Sequence, residues 1–432
     1  MAEVHELARM LAQLEEQMVT CMRCGMCQAA CPLYAETGRE TDVARGKIVL
    51  LEHLSQELLK DPEGVKQRLE NCLLCGSCAA ACPSGVKVLD LFLQARAIIN
   101  GYLGLPPAQK AMFRFFLTKP KLFNSLVSMA SKVQGFFTKP ADELLGSSCA
   151  RFQSSLLQDR HFQPLARTPW HKKVPHLDEP AGSSNLRAAF FPGCLVDKVF
   201  PDVAQDLCRA LRHHQVGIYM PSNQACCGIP ALSKGDRNAF VQLVKKNLQL
   251  FAGHDFQALV TPCATCTSTI KKIWPMFLDS FSPQEQEQIQ AISEKTMDIN
   301  EFLAKNFLPA PSQDQAENGL KLTYHDPCHL KKSLQVYQEP RALLKANPDY
   351  QLLEMDEADR CCGMGGSFGL QHYDLSKKVG QRKLQNILRS GAQVVCTGCP
   401  ACMLQIIDLL SHAQSGIQVK HPVQIYAQTL EH

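Results

Sequence analysis

The sequence predicts a chain of α plus α/β class, a helical module followed by two copies of one α/β domain. Three observations carry that expectation. The stretches "CMRCGMCQAACP" (Cys21–Pro32) and "CLLCGSCAAACP" (Cys72–Pro83) share the spacing C-x2-C-x2-C-x3-C-P. A longer pattern occurs twice, as C-x31-CCG-x34-CxxC from Cys194 and as C-x32-CCG-x35-CxxC from Cys328. Around each copy of it, apolar β-rich runs alternate with helical ones, which implies a mainly parallel sheet.

A chain of 432 residues has room for two or three domains and a sizeable core. Its net charge of +4 and its lack of a dense Lys/Arg run exclude nucleic acid as the main partner. The 21 cysteines point to either a disulfide framework or metal. "MAEVHELARMLAQLEEQMVT" has neither a basic n-region nor an apolar h-region. It reads as an amphipathic helix with Leu7, Met10, Leu11 and Leu14 on one face. No stretch reaches the roughly 18 uninterrupted apolar residues of a membrane span. The expected compartment is the cytoplasm, with peripheral attachment at the inner face of the membrane as an option. Thiols stay reduced there and are available for metal.

The first two runs carry eight of these thiols. Structural zinc needs as many ligands but uses paired C-x2-4-C hooks, without a third cysteine two residues on or a trailing C-P. Three thiolates at x2 spacing wrap a short turn around three corners of an iron–sulfur cube, and the fourth reaches across to the other cluster. One [4Fe-4S] cluster is therefore assigned to Cys21, Cys24, Cys27 and Cys82, and a second to Cys72, Cys75, Cys78 and Cys31. Pro32 and Pro83 turn the chain out of each loop. Between the runs, "ARGKIVLLEHLSQELL" and "PEGVKQRLENC" read as helices, which makes this a helix-inserted ferredoxin-type domain over residues 1–105.

The longer pattern agrees between copies to within one residue over some 75 residues, so it is an internal repeat. The first copy, in a domain over 186–310, offers Cys194, Cys226, Cys227, Cys263 and Cys266. The second, over 318–432, offers Cys328, Cys361, Cys362, Cys399 and Cys402. In each, a strand ("AAFF" or "LTYH") leads to the first cysteine. A helix such as "PDVAQDLCRALRHH" and a strand such as "VGIYMP" precede the double cysteine in the first copy. A helix ("AFVQLVKKNLQLF" or "LSKKVGQRKLQNIL") follows the double cysteine in both, then a strand ending in CxxC at a helix start. Parallel sheets gather ligands beyond the carboxyl ends of their strands, which is where these thiols fall. Five thiols exceed the need of a cubane, which suits a bridging thiolate or an irregular cluster. One or two further [4Fe-4S] clusters, cubane or noncubane, are expected. A vicinal disulfide or a pair of inert buried thiols is the alternative.

The doubled CCG unit behind a two-cluster domain resembles the iron–sulfur subunits of glycolate oxidase and lactate dehydrogenase. It is also similar to the anaerobic glycerol-3-phosphate dehydrogenase small subunit and to heterodisulfide reductase catalytic subunits. The likeness runs from about residue 15 to the end, and "CPLYAETGRETDVARGKIVLL", "CPSGV" and "HLKKSLQV…EPRALL" bring it nearest the glycolate/lactate group. It implies an electron-transfer subunit of a flavin-dependent 2-hydroxy acid dehydrogenase. Electrons would come from an FAD-containing partner subunit and pass to a quinone or another membrane carrier, with no catalytic residue in this chain for the hydroxy acid. Many glycolate oxidase subunits have lost the CxxC of a repeat, whereas this chain keeps all five cysteines in both copies. That departure keeps a second expectation open, disulfide reduction at CCG-bound noncubane clusters.

Cys149, Cys208 and Cys396 fall outside the pattern; Cys208 reads as a buried small hydrophobe and Cys396 as a spare ligand at most. His325 and His329 flank Cys328 and read as core histidines, with cluster tuning or proton shuttling as the alternative. "GMGGSFG" (Gly363–Gly369) lacks nucleotide-loop spacing, so no organic cofactor is expected in this chain. The connector over 106–185 contains "KAMFRFFLTKPKLFNSLVSMASKVQGFFTKP", rich in Phe and Lys and free of acid. It reads as a helix packing the first module onto the repeats, with membrane or partner docking as the alternative. Linkers are expected at roughly 146–185 and at 308–319.

Overall fold

A computed structural model describes residues 2–152, 158–308 and 319–431. Residues 153–157 and 309–318, on which both expected linkers partly fall, lie outside the described residues. The chain forms two compact units that interleave along the sequence. One comprises Met1–Thr118, Gly228–Gln242 and Gly363–Val379; the other comprises Lys119–Cys227, Leu243–Cys362 and Gly380–His432. The chain leaves the second unit for the first immediately after each double cysteine. Boundaries drawn along the sequence did not anticipate this, because the two inserted segments carry no compositional break.

The first unit is helical. Helix Ala2–Ala12 buries Leu7 and Leu11, one turn apart, as its amphipathic pattern requires. Helix Ala44–Ser55 buries Ile48, Leu51 and Leu54. Helix Pro62–Glu70 starts on Asp61, whose carboxylate accepts from the Gly64 N–H at 2.8 Å, with Pro62 at the first turn. Helix Val88–Leu103 presents Leu91, Phe92, Ala95 and Ile99 to the interior.

The two inserted segments are tied to this frame by polar contacts. Arg96 is buried among carbonyls, donating to Ser233 O at 2.8 Å, to Cys72 O at 3.2 Å and to Leu69 O. The Asn100 amide donates to Lys234 O at 3.0 Å, and Arg114 pairs with buried Asp236 at 2.9 Å. Gly365, with φ of +51°, lies so close to Leu73 that a Cβ there would meet its side chain at 2.5 Å.

The glycine after each double cysteine has the same backbone conformation in both copies, φ of +98° at Gly228 and at Gly363. An L-residue in that region carries a Cβ clash with the carbonyl. At Gly228 the added methyl would also sit 2.6 Å from the Phe240 ring. Gly228→Ala is therefore expected to destabilise the protein by about 2 kcal/mol. The anaerobic urea midpoint checks this, and an unchanged midpoint would refute it.

The second unit opens with helix Pro120–Phe137 and a short antiparallel hairpin, β1 (Thr138–Asp142) and β2 (Ser147–Ala150). Cys149 lies half-buried on β2. The helix forms as the sequence indicates, but its apolar side chains are only partly covered. Leu122, Met129, Val133, Phe136 and Phe137 are exposed, Phe136 to 75%, while Ser128 and Ser131 turn inward. Among the described residues no helix is long and apolar enough to cross a membrane.

Two sheets follow. The first joins β3 (Leu177–Asp178), β4 (Arg187–Phe190), β5 (Gly217–Met220), β6 (Ala258–Thr261) and β7 (Thr296–Asp298) in the order β3-β5-β4-β6-β7. Only β3 runs antiparallel. The second joins β8 (Leu320–Tyr324), β9 (Tyr350–Leu352), β10 (Val394–Cys396) and β11 (Gln418–Lys420), all parallel, in the order β11-β10-β8-β9. With β4 matched to β8, the parallel strands of both sheets follow one order: second, first, third, fourth. The duplication read from cysteine spacing is a duplication of topology. The two sheets also share a core, since Ala188, Phe190, Leu207 and Val260 of one copy cluster with Leu343, Val423 and Tyr426 of the other.

Candidate metal centre

Both runs of the helical unit wrap in the same way. The residue before the second cysteine is left-handed in each, Arg23 at φ +57° and Leu74 at +52°, as is the glycine after it, Gly25 at +87° and Gly76 at +72°. A short helix then starts, Met26–Ala30 in one run and Ser77–Ala80 in the other. The reversals point backbone N–H groups inward, and the Leu74 N–H reaches Cys72 Sγ at 3.5 Å.

The two short helices pack on each other. Cys31 is thereby placed with the opposite run, sharing with Cys72, Cys75 and Cys78 the wall of one cavity floored by Leu73, Leu74, Val88 and Phe92. Burial pushes the Cys31 thiol up to about 11, and the charges of Cys72 and Cys75 add to it. Cys78 is held well above its ordinary value by burial and by the same neighbours. Four thiols that cannot ionise together without a cation among them suit iron. In the other set Cys27 neighbours Cys21, while Cys24 is exposed and Cys82 lies half-buried at the turn after Ser77–Ala80.

Lys47 supplies a second mark of an anionic guest. It is 1% exposed, and its Nζ makes no hydrogen bond. Burial holds its pKa down, while Cys72, Asp42 and Cys31 oppose that shift. A buried ammonium with no partner is costly unless negative charge stands nearby, as an all-thiolate iron–sulfur cluster provides. Nothing in the sequence singles out Lys47, which reads there as one polar position of a helix.

In the α/β unit, Cys194 and Cys328 follow β4 and β8, and Cys263 and Cys399 follow β6 and β10. These are the carboxyl ends on either side of the point where strand order reverses. Cys263 (φ −144°, ψ 106°) and Cys399 (φ −143°, ψ 114°) cap their following helices in the same conformation. The eight cysteines of the CCG and CxxC motifs are each 8% exposed or less, whereas Cys194 and Cys328 are half-buried.

The thiols of the two copies meet. Cys227 hydrogen-bonds Cys266, which hydrogen-bonds Cys263, and Cys263 in turn meets Cys399 of the other copy. Cys399 continues to Cys402, and Cys402 to Cys362 and on to Cys361. Cys194 pairs with Cys226. The junction is fixed by backbone, since the Ala264 N–H donates to Gly398 O at 3.1 Å. Cys208 and Cys396 lie apart in the apolar cores of their sheets, so Cys396 is not a spare ligand here.

The copies differ in what surrounds their thiols. The helix after the first double cysteine carries Asn247, whose amide accepts from the Ala225 N–H at 3.0 Å and donates to Cys226 O at 3.1 Å. The corresponding helix carries Lys383, whose buried ammonium donates to Glu357 O at 2.6 Å and to Ala358 O at 3.1 Å. Burial draws Lys383 down to about 8, with Cys362 and Cys328 opposing. Both residues read in the sequence as polar positions of amphipathic helices and were missed.

Comparison with known proteins agrees with this architecture. The 4Fe-4S dicluster domain model matches residues 17–86, and the cysteine-rich CCG domain model matches twice, at 188–271 and 322–407. The chain is similar to the probable glycolate oxidase iron-sulfur subunit of Bacillus subtilis, 29% identical over 91% of this chain and 89% of that protein. It is 26% identical to one of the subunits of the dihydromethanophenazine:CoB–CoM heterodisulfide reductase of Methanosarcina acetivorans, over 96% of this chain and 94% of that one. Lactate utilization protein A of Bacillus pumilus is 28% identical over 56% of this chain and 98% of its own length. The chain belongs to the iron–sulfur proteins that join a 4Fe-4S dicluster domain to paired CCG domains, the group of the glycolate oxidase and lactate utilization iron–sulfur proteins and of the related heterodisulfide reductase subunits.

Proposed function

We propose that this chain is the electron-transfer subunit of a flavin-dependent lactate or glycolate dehydrogenase, carrying electrons from an FAD-containing partner to a quinone or another carrier. The observation that bears most weight is the buried run of thiols from Cys227 through Cys266, Cys263, Cys399, Cys402 and Cys362 to Cys361, which crosses between the CCG copies at Cys263 and Cys399. Cys21, Cys24, Cys27 and Cys82 would hold one cluster, and Cys31, Cys72, Cys75 and Cys78 a second. The two sets of five CCG thiols would hold the rest. Such clusters supply one-electron transfer without bound protons. The protein's part is to exclude water, fix the sulfurs and set the local charge. Exposed Cys24, with Met22 and Met26 exposed on either side, suits the face where a partner delivers electrons. The apolar side chains of helix Pro120–Phe137, among Lys119, Lys121, Lys132 and Lys139 with no acidic residue, suit a face resting on an anionic membrane.

A second reading, reduction of a disulfide at the CCG clusters, is favoured by the full set of five cysteines in both copies and by the likeness to the heterodisulfide reductase of Methanosarcina acetivorans. Burial of the CCG and CxxC thiols weighs against it, because a disulfide has to reach the sulfur it exchanges with. Anaerobic affinity purification of the tagged chain from its own cells tests both. A stoichiometric flavoprotein with lactate- or glycolate-dependent dye reduction is expected. A flavin-free preparation that turns over thiols and disulfides would overturn the relay.

A further inference from the structure

The two CCG copies differ at one position against their thiols. The residue after β4 is Phe191, and its counterpart after β8, three residues before Cys328, is His325; both are fully buried. The Phe191 ring and Cys266 Sγ lie together against Gly193, at 3.9 and 2.9 Å from the point where a Cβ would stand. In the second copy a ring nitrogen of His325 and the Sγ atoms of Cys362 and Cys402 all lie within 4.8 Å of one another. Cys362 and Cys402 correspond to Cys227 and Cys266, so the two rings occupy matching places.

The orientation of the imidazole is fixed. Its Nδ1 lies 3.2 Å from Ala358 O, and a carbonyl only accepts, so Nδ1 carries the proton and Nε2 presents its lone pair. Nε2 is buried, makes no hydrogen bond to nitrogen or oxygen, and faces the Cys362 sulfur. A buried acceptor with only a thiol, a weak donor, before it recovers little of its lost hydration. Ligating histidines show this arrangement, one ring nitrogen donating to a carbonyl and the other facing the metal.

We infer that His325 is a nitrogen ligand to the cluster of the second CCG copy, beside its thiolates, and that the first copy, with Phe191 in the same place, has thiolate ligation alone. The inference rests on the reading that the CCG thiols hold iron. Its consequence is an order between two otherwise duplicate centres. Imidazole ligation raises a cluster's potential over an all-thiolate one, and the ammonium of Lys383 beside Cys362 acts in the same direction. Electrons would then settle on the second copy.

The test is pulsed EPR on the full holoprotein, purified anaerobically from cells grown on 15N-histidine, with iron counted on the same samples. One strongly coupled 15N is expected in the wild type. It should be lost in both His325→Phe and His325→Gln and kept in His329→Gln. The glutamine variant retains hydrogen-bonding capacity but is a poor iron ligand, so it separates ligation from a hydrogen bond to sulfur. A coupling that survives His325→Gln overturns the inference. So does a wild-type spectrum without strong nitrogen coupling when iron exceeds the about eight atoms that two four-iron clusters hold. Iron at about eight per chain means that the CCG thiols hold none, and it overturns this inference together with the reading beneath it.

Discussion

Cys31→Ala should abolish the cluster of the Cys72 run and leave that of its own run intact. Cys31 follows Cys27 by four residues, so a ligand set read along the chain would place both on one cluster. The structure argues otherwise, because Cys31 shares a cavity wall with Cys72, Cys75 and Cys78, and its thiol responds to the charges of Cys72 and Cys75. The expected loss is one cluster, about four irons per chain. The EPR spectrum of the reduced Cys31→Ala protein should match that of Cys75→Ala and differ from that of Cys24→Ala. A spectrum matching Cys24→Ala would return Cys31 to its own run and remove the crossed assignment.

The crossed assignment rests on the x2 and x3 spacings of each run, and the cavity wall that Cys31 shares with the Cys72 run supports it. The α/β duplication was legible for a related reason. Cysteine intervals agreeing to one residue force the strands between them into one order, and β5-β4-β6-β7 and β9-β8-β10-β11 repeat it. What long-range packing decides was not legible. No local pattern joins Cys263 to Cys399, 136 positions apart, or sends Gly228–Gln242 and Gly363–Val379 to the helical unit. Nor does local pattern separate a buried charge from a solvated one. Lys47 and Lys383 occupy polar positions on amphipathic helices, yet both are buried. Helix Pro120–Phe137, which reads as a packing connector, leaves Leu122, Met129, Val133, Phe136 and Phe137 exposed. Each miss concerns which face of an element another element covers, and periodicity cannot say that.

Lys47→Met should lower the reduction potential of the cluster at Cys31, Cys72, Cys75 and Cys78. Reduction adds a negative charge, and a fixed positive charge nearby stabilises the reduced state more than the oxidised one. Lys47 is placed for this, since its Nζ makes no hydrogen bond and the charges facing it are Cys72, Asp42 and Cys31, with Arg96 of like sign opposing them. Methionine keeps most of the volume and all of the apolar stem, so the fold is expected to survive. A unit charge at about 6–8 Å in a medium of effective dielectric near 20 is worth roughly 2–3 kcal/mol, on the order of 100 mV for one electron. Asp42 offers the opposite sign from the same wall. Its carboxylate is buried, with Oδ1 lacking a hydrogen bond, so Asp42→Asn should raise the potential. An EPR-monitored redox titration of both variants reads the two shifts. Shifts of one sign would mean that the substitutions act through altered packing, and a Lys47→Met value within about 20 mV of wild type would leave the buried ammonium without an electrostatic role. Opposite shifts would show that the protein sets this centre by charges the cluster itself makes tolerable, which explains why a lysine persists where a leucine would pack with less cost.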